Sequence, residues 1–254
     1  MSAWIERHPY LRSLAALHDA VEGQGAARRR QDPRSAEEIA RGVPLLKSRS
    51  LDPGVFVEAG TILASTAQAL LRTQLPPQLL EECGALCAQL EDDPAFAVRL
   101  VRSVAEMSVA PSSLETFLAW KALGRALGPS ERTEGWTRNC CPCCGTLPAM
   151  ALLRESDRGR ERALSCGLCG TRWTYARIGC PYCRSDELQQ LGVLEPEDDE
   201  GFRIDVCGHC DAYLKTYVGK GEEALALADW STLHLDAACR ERGLRRAGPS
   251  LYEF

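Results

Sequence analysis

Four Cys-x-x-Cys pairs crowd into the second half of this 254-residue chain: Cys141/Cys144, Cys166/Cys169, Cys180/Cys183 and Cys207/Cys210. A Cys-x-x-Cys turn points two sulfurs at one ion while nearby backbone N–H groups face them, and two such turns complete a tetrahedral four-sulfur shell. The intervals are 21 residues between the first two pairs (145–165) and 23 between the last two (184–206), each long enough for a two-stranded excursion and return. This favours pairing first with second and third with fourth, and an interleaved pairing stays open. Ten residues separate the second pair from the third, so the two ribbons must lie side by side. Four sulfurs select zinc or iron, and spacing does not separate these. The choice matters, because iron changes oxidation state and zinc does not.

The two sites are expected to be unequal. Gly145 and Gly170 follow the second cysteine of the first two pairs, where a knuckle often needs positive φ. Arg184 and Asp211 hold those places in the other two, and Asp tolerates that conformation better than Arg. Five cysteines remain. Cys140 and Cys143 flank the first pair in NCCPCCG and read as alternative ligands or exposed reactive thiols. Cys83 and Cys87, four apart on a helix, and Cys239 read as small core residues. His209 sits between two ligands and is placed to support them by a hydrogen bond. His8, His18 and His234 have no partner motif. No nucleophile elbow, phosphate-cradling glycine loop or zinc-hydrolase helix motif occurs, and a closed four-sulfur shell leaves no open position for substrate. No catalytic residue is assigned, and the chain reads as a non-enzyme.

The elements that must carry these residues divide near residue 135. Before it, helical periodicity or proline and cap signals mark helices over 10–21, 55–72, 77–91, 94–108 and 112–127, with an Arg-rich loop over 24–34. The Pro76-Pro77 and Asp93-Pro94 steps suit helix starts; Ser112 or Ser113 caps the last helix and Gly128-Pro129 ends it. After it, strand-like runs at 149–154, 162–165, 172–178, 188–194, 203–206 and 213–218 alternate with turns, and a helical tail spans 222–242.

Size and cysteine spacing point away from a disulfide scaffold and toward a reducing compartment. No apolar run is long enough for a membrane span, and the first residues do not read as a secretory leader, so a cytoplasmic location is expected. The formal net charge of −5 counts against a general nucleic-acid partner. Arg28–Arg30 and Arg154, Arg158, Arg160 and Arg162 read first as solvated faces, and second as a docking surface for an acidic partner.

The blocks CPCCGTLPAMALLR, LSCGLCGTRWTYARIGCPYC and VCGHCDAYLKTY, the tail ADWSTLHLDAACRERGLRRAGPSLYEF and the early HPYLRSLAAL resemble the formate dehydrogenase accessory protein family (FdhE). The resemblance covers most of the chain and is densest over 140–254. It implies an α+β chain: a helical domain over 1–135, a first rubredoxin-like four-cysteine β module over 136–178, and a second over 179–254 that ends in a helical tail. It further implies two iron ions, one in each four-cysteine site, with zinc the alternative, and cytoplasmic binding to the catalytic subunit of respiratory formate dehydrogenase before export. Two other functions compete. One is a double zinc ribbon that binds nucleic acid through a strand carrying Arg172, Trp173, Tyr175 and Arg177. The other is a small electron-transfer protein. The sequence sets no oligomeric state.

Overall fold

The computed structural model describes residues 3–23, 32–106, 113–130, 132–156, 159–197, 201–219 and 223–252. They form two compact units: Met1–Arg30, Asp52–Gly128 and Leu251–Phe254 in one, Gln31–Leu51 and Pro129–Ser250 in the other. These units cut the chain elsewhere than the divisions expected at 135 and 178.

Along the chain the helices are α1 (Ala3–Arg7), α2 (Arg12–Glu22), α3 (Ala36–Ala40), α4 (Gly54–Leu70), α5 (Pro77–Asp92), α6 (Phe96–Glu106) and α7 (Leu114–Leu127). All but α3 belong to the first unit. The expected positions 107, 108 and 112, and 24–31 of the expected loop, lie outside the described residues. In that unit α4 packs against α2, α5, α6 and α7. Its buried residues Val55, Ala59, Leu63, Ala67 and Leu70 recur every three or four positions, which puts them on one face. Gly60 lets α6 approach: a Cβ there would stand 3.1 Å from the Val98 side chain. Ser113 caps α7 by accepting from the Thr116 N–H, and Gly128 ends it at φ +67°. α7 is buried on nearly every side, more than its one-sided leucine pattern implied. Its Lys121 is accommodated by an ion pair with Glu22 (2.8 Å), and Arg125 donates to the Val21 carbonyl (2.9 Å).

The second unit is built on one sheet. Its strands are β1 (Met150–Ser156), β2 (Gly159–Ser165), β3 (Arg172–Tyr175), β4 (Leu191–Leu194), β5 (Phe202–Cys207), β6 (Ala212–Tyr217) and β7 (Arg245–Arg246). The order is β3-β2-β1-β6-β5-β4. Each set of three is an antiparallel meander, and a parallel pairing of β1 with β6, Ala151 opposite Thr216, joins the sets. β7 adds two residues beside β6. The two four-cysteine stretches therefore share a sheet. β3 stops at Tyr175, short of the expected 178, and 188–190 form a 3-10 turn ahead of β4.

The tail departs from the expected single helix. α8 (Glu223–Ala226), a 3-10 turn (Asp229–Thr232) and α9 (Leu233–Glu241) follow one another. The break has a cause in the buried charges. Lys215 on β6, 1% exposed, bonds Asp229 (2.9 Å) and Asp236 (2.7 Å). Arg246 pairs with the same two carboxylates, Tyr213 donates to Asp236 (2.6 Å) and Ser250 to Asp229 (2.6 Å). Asp229 must leave a regular helix to enter this cluster, and the Ser231 hydroxyl takes up the carbonyls of Leu225 and Ala228 at the break. Two cations and two carboxylates balance, which makes their burial tolerable. Among the described residues, no helix is long and apolar enough to cross a membrane.

Candidate metal centres

Three of the four Cys-x-x-Cys turns close by the same hydrogen bonds. Cys141, Cys166 and Cys180 each donate their N–H to the carbonyl five residues on (Thr146, Thr171 and Ser185; 2.7, 3.0 and 2.8 Å). Each also accepts at its own carbonyl from the residue four on, Gly145, Gly170 or Arg184. The N–H groups of Cys143, Leu168 and Tyr182 point at the sulfurs of Cys141, Cys166 and Cys180 (3.3–3.4 Å), as a turn that holds thiolates requires. The fourth turn grows from the β5–β6 hairpin, where Cys207 faces Ala212 in register.

These turns gather the eight paired sulfurs into two groups, Cys141/Cys144/Cys166/Cys169 and Cys180/Cys183/Cys207/Cys210, each with all sulfurs within 4.8 Å of one another. First meets second and third meets fourth; the pairs do not interleave. A tetrahedral ion with sulfur at about 2.3 Å sets sulfurs about 3.8 Å apart. In the second group Cys180–Cys210 is 3.8 Å and Cys183–Cys207 is 3.7 Å. In the first, Cys144–Cys169 is 3.8 Å, Cys141–Cys169 3.5 Å and Cys144–Cys166 3.3 Å. Both groups have the spacing of a four-sulfur shell around one ion.

Among thiols alone, burial above all lifts Cys141 well above the usual range and Cys180 to about 12. Cys183 falls to about 6: desolvation opposes this, but hydrogen bonds from the Ser185 N–H and from Cys210, Cys207 and Cys180 outweigh it. A bound cation replaces such shared protons.

The groups differ in their surroundings. All four residues of the first are buried, while Cys183 and Cys210 of the second are half-exposed. The Thr146 hydroxyl lies 3.2 Å from the Cys144 sulfur and 3.3 Å from that of Cys166, and Thr171 lies 3.2 Å from Cys169. Residues 32–51 close over the first turn. Leu45 and Leu46 donate to the carbonyls of Pro142 and Cys143 (2.9 and 2.8 Å). Arg34, 1% exposed and paired with Asp32, donates to the Pro142 carbonyl (2.7 Å) and lies over the Trp136 ring. Sequence reasoning missed Thr146, Thr171 and Arg34. The threonines follow the knuckle glycines directly, a signal that was readable; Arg34 carried none, since its partner is 108 positions away. The turns of the second centre are held by Asn139, which donates to the Pro181 carbonyl (2.7 Å), Tyr182, which donates to that of Pro148 (3.1 Å), and Arg245, which donates to that of Cys210 (2.7 Å).

The backbone bears out the expected inequality. Gly145 and Gly170 sit at φ +84° and +69°, and among the described residues the non-glycines at positive φ are Arg184 (+66°) and Asp211 (+53°). All four turns need this conformation, and the second centre adopts it with side chains that disfavour it.

The remaining cysteines separate. Cys143 is fully buried with its thiol against Cys169, which corrects the reading of an exposed reactive group. Cys140 is half-buried, and desolvation raises its thiol. Cys83, Cys87 and Cys239 are core residues; burial raises Cys83 and Cys239 to about 11. His209 is exposed. His18 bonds the Tyr252 hydroxyl (2.9 Å). On the strand of the competing nucleic-acid reading, Trp173 is 1% exposed and donates to the Arg138 carbonyl and Arg172 pairs with Glu223, while Tyr175 is half-buried and Arg177 exposed. Of the second arginine cluster, Arg154 and Arg160 pair with Glu161 and Glu155, Arg162 is buried, and Arg158 lies outside the described residues. Arg28–Arg30 lie outside them too.

A sequence model described as FdhE, central domain, matches residues 140–177. The chain is 34% identical over 176 residues to a Protein FdhE homolog of Pseudomonas aeruginosa, covering 62% of this chain and 54% of that protein. It is 33% identical over 167 residues to that of Stutzerimonas stutzeri, covering 62% and 53%. It thus spans about half the length of these two relatives. A homolog from Actinobacillus pleuropneumoniae serotype 3 is 27% identical over 256 residues, covering 98% of this chain and 78% of that one. The crystal structure of the FdhE protein from Pseudomonas aeruginosa superposes with a TM-score of 0.64 at 25% identity, over 96% of this chain and 88% of that one. The paired cysteines, the α+β architecture and these relatives agree in one likeness: the chain is similar to FdhE proteins in sequence over its cysteine-bearing part and in fold over nearly its whole length.

Proposed function

We propose that this chain is an accessory protein in the maturation of respiratory formate dehydrogenase. It binds the enzyme's catalytic subunit in the cytoplasm before export and is not itself an enzyme. The likeness to FdhE proteins supports the reading, and one observation carries it: eight sulfurs stand in two groups of four. A closed shell leaves no position for substrate or water, which suits a structural or electron-carrying centre and not a hydrolytic one. Cys141, Cys144, Cys166 and Cys169 hold one ion; Cys180, Cys183, Cys207 and Cys210 hold the other. Both ions are iron, with zinc as the alternative; iron would supply one-electron chemistry. The chain's own contribution is to order the shared sheet around them.

The test is affinity capture from formate-grown cells. Recovery of a formate dehydrogenase catalytic subunit supports the reading, and failure to recover one while that enzyme is being made refutes it. Protein that is coloured after aerobic purification, and bleached by dithionite, supports iron; stoichiometric zinc without colour refutes it. A second reading, rubredoxin-like electron transfer, draws on the half-exposed Cys183 and Cys210, which bring the second centre to the surface.

A further inference from the structure

Among the described residues, large apolar side chains are exposed at six places, and three of them, Ile178 (58%), Leu188 (65%) and Val193 (48%), line one groove. Its volume is about 180 Å³. The floor is the face of β4, β5 and β6 that carries Val193, Asp205 and Leu214, and Val193 is opposite Asp205, as Asp205 is opposite Leu214. The buried ion cluster of Lys215 belongs to the other face, because neighbouring residues of a strand point to opposite sides. One wall is the segment from Arg177 to Tyr182, which includes the third cysteine turn. Soluble proteins seldom leave clustered aliphatic side chains in water without a partner for them.

The groove also has Cys180 and Cys207 in its lining, and a four-thiolate shell around a divalent ion carries net negative charge that balances part of the arginine charge. Arg162, Arg177 and Arg203 line it against one carboxylate, Asp205, which already pairs with Arg203 (2.9 Å) and accepts from the Thr216 hydroxyl (2.7 Å). Arg162 is 3% exposed and gives one N–H to the Gly179 carbonyl (2.9 Å), while its Nε, like that of Arg203, is buried without an acceptor. Arg177 is exposed, so its guanidinium is the one open to a carboxylate from outside. The groove thus sets an exposed guanidinium and an aliphatic rim beside the half-exposed centre.

We infer that this groove docks an extended segment of a partner protein that carries aliphatic side chains around at least one carboxylate. Ile178, Leu188 and Val193 take the aliphatic groups, and the exposed Arg177 guanidinium takes the acid. Because Cys180 and Cys207 also line the groove, the docked segment covers the second centre. This deepens the function proposed above and rests on it in one respect, that the chain binds another polypeptide.

The test is selection of a displayed random-peptide library on the full metal-loaded chain, followed by affinity measurement with the selected peptides. The expected result is a consensus of Asp or Glu flanked by aliphatic residues. Binding should fall by at least about tenfold in Ile178→Asp and in Arg177→Glu, and stay unchanged in Val57→Asp, an exposed apolar site in the other unit. Equal metal content and unfolding midpoints among these variants show that they fold. No selected peptide, peptides without a carboxylate, or binding indifferent to Ile178→Asp overturns the inference. So does a dimer of this chain abolished by Ile178→Asp, which would give the groove to a second copy. If wild-type chain and Ile178→Asp capture formate dehydrogenase equally, the groove fails and the function stands. If neither captures it while peptides still select, the function fails and the groove stands.

Discussion

At the first centre the turn ends in Gly145 at φ +84° under a lid made by residues 32–51; at the second it ends in Arg184 at φ +66° beside an open groove. The same turn is therefore built twice, once in relaxed backbone and buried, once in strained backbone and half-exposed. Four converging sulfurs do not by themselves define how a centre behaves. Backbone strain and cover do: the first centre is relaxed and buried, and the second is strained and half-exposed.

The largest test of this contrast is to remove a sulfur from each centre. Structural four-sulfur sites contribute on the order of 10 kcal/mol of folding energy. Cys166→Ser should lose cooperative unfolding of the whole cysteine-bearing unit, whereas Cys210→Ser should lose one ion and keep a cooperative transition. Metal analysis and thermal unfolding by circular dichroism read both; equal collapse would erase the contrast.

Next comes the ion cluster behind β5 and β6, which supports the strands of the second centre. Lys215→Met leaves two buried carboxylates to share one cation, Arg246, and should cost about 3–5 kcal/mol in chemical denaturation. A cost below about 1 kcal/mol would mean the second centre does not depend on it. The cluster also sets a pH signature. Burial tends to raise the Asp229 carboxyl, but Lys215, Arg246 and the Ser250 hydroxyl hold it well below the usual carboxylate range. A depressed folded value adds stability that is complete above the unfolded value of about 3.9 and is lost as pH falls through the folded one. Asp229→Asn should therefore flatten the loss of stability below about pH 4, measured by denaturation at stepped pH. A slope identical to wild type would contradict the buried pairing.

The smallest expected effect concerns the turns themselves. Arg184→Gly should strengthen the second centre by about 1 kcal/mol, and Gly170→Ala should weaken the first by a similar amount through φ alone, since no atom lies within 4 Å of its Cβ. Metal-competition titration distinguishes the two signs; the same sign for both would remove backbone strain as the cause.

Much of this was legible in the sequence because it is local. The Cys-x-x-Cys spacing named the eight sulfurs, and the residue after each second cysteine identified which turns would carry strain. Helix starts at Pro77 and Ser113 were likewise set by neighbours in sequence. What was not legible is long-range. The parallel pairing of β1 with β6 unites the two modules across more than sixty positions, and no local pattern specifies it. The lid over the first centre comes from residues 32–51, whose composition reads as part of the helical half. The tail reads as one helix by period, and only the demand of Lys215 for the Asp229 carboxylate breaks it.

Metal content and timed release put the unequal pair of centres to the sharpest trial. Protein purified without air should carry two metal equivalents per chain, one for each sulfur group. Under an excess of chelator at neutral pH, release should occur in two phases. The faster one should vanish in Cys210→Ser and slow in Arg184→Gly. A single equivalent, a single phase, or a faster phase that vanishes only when a cysteine of the first centre is replaced would refute the inequality.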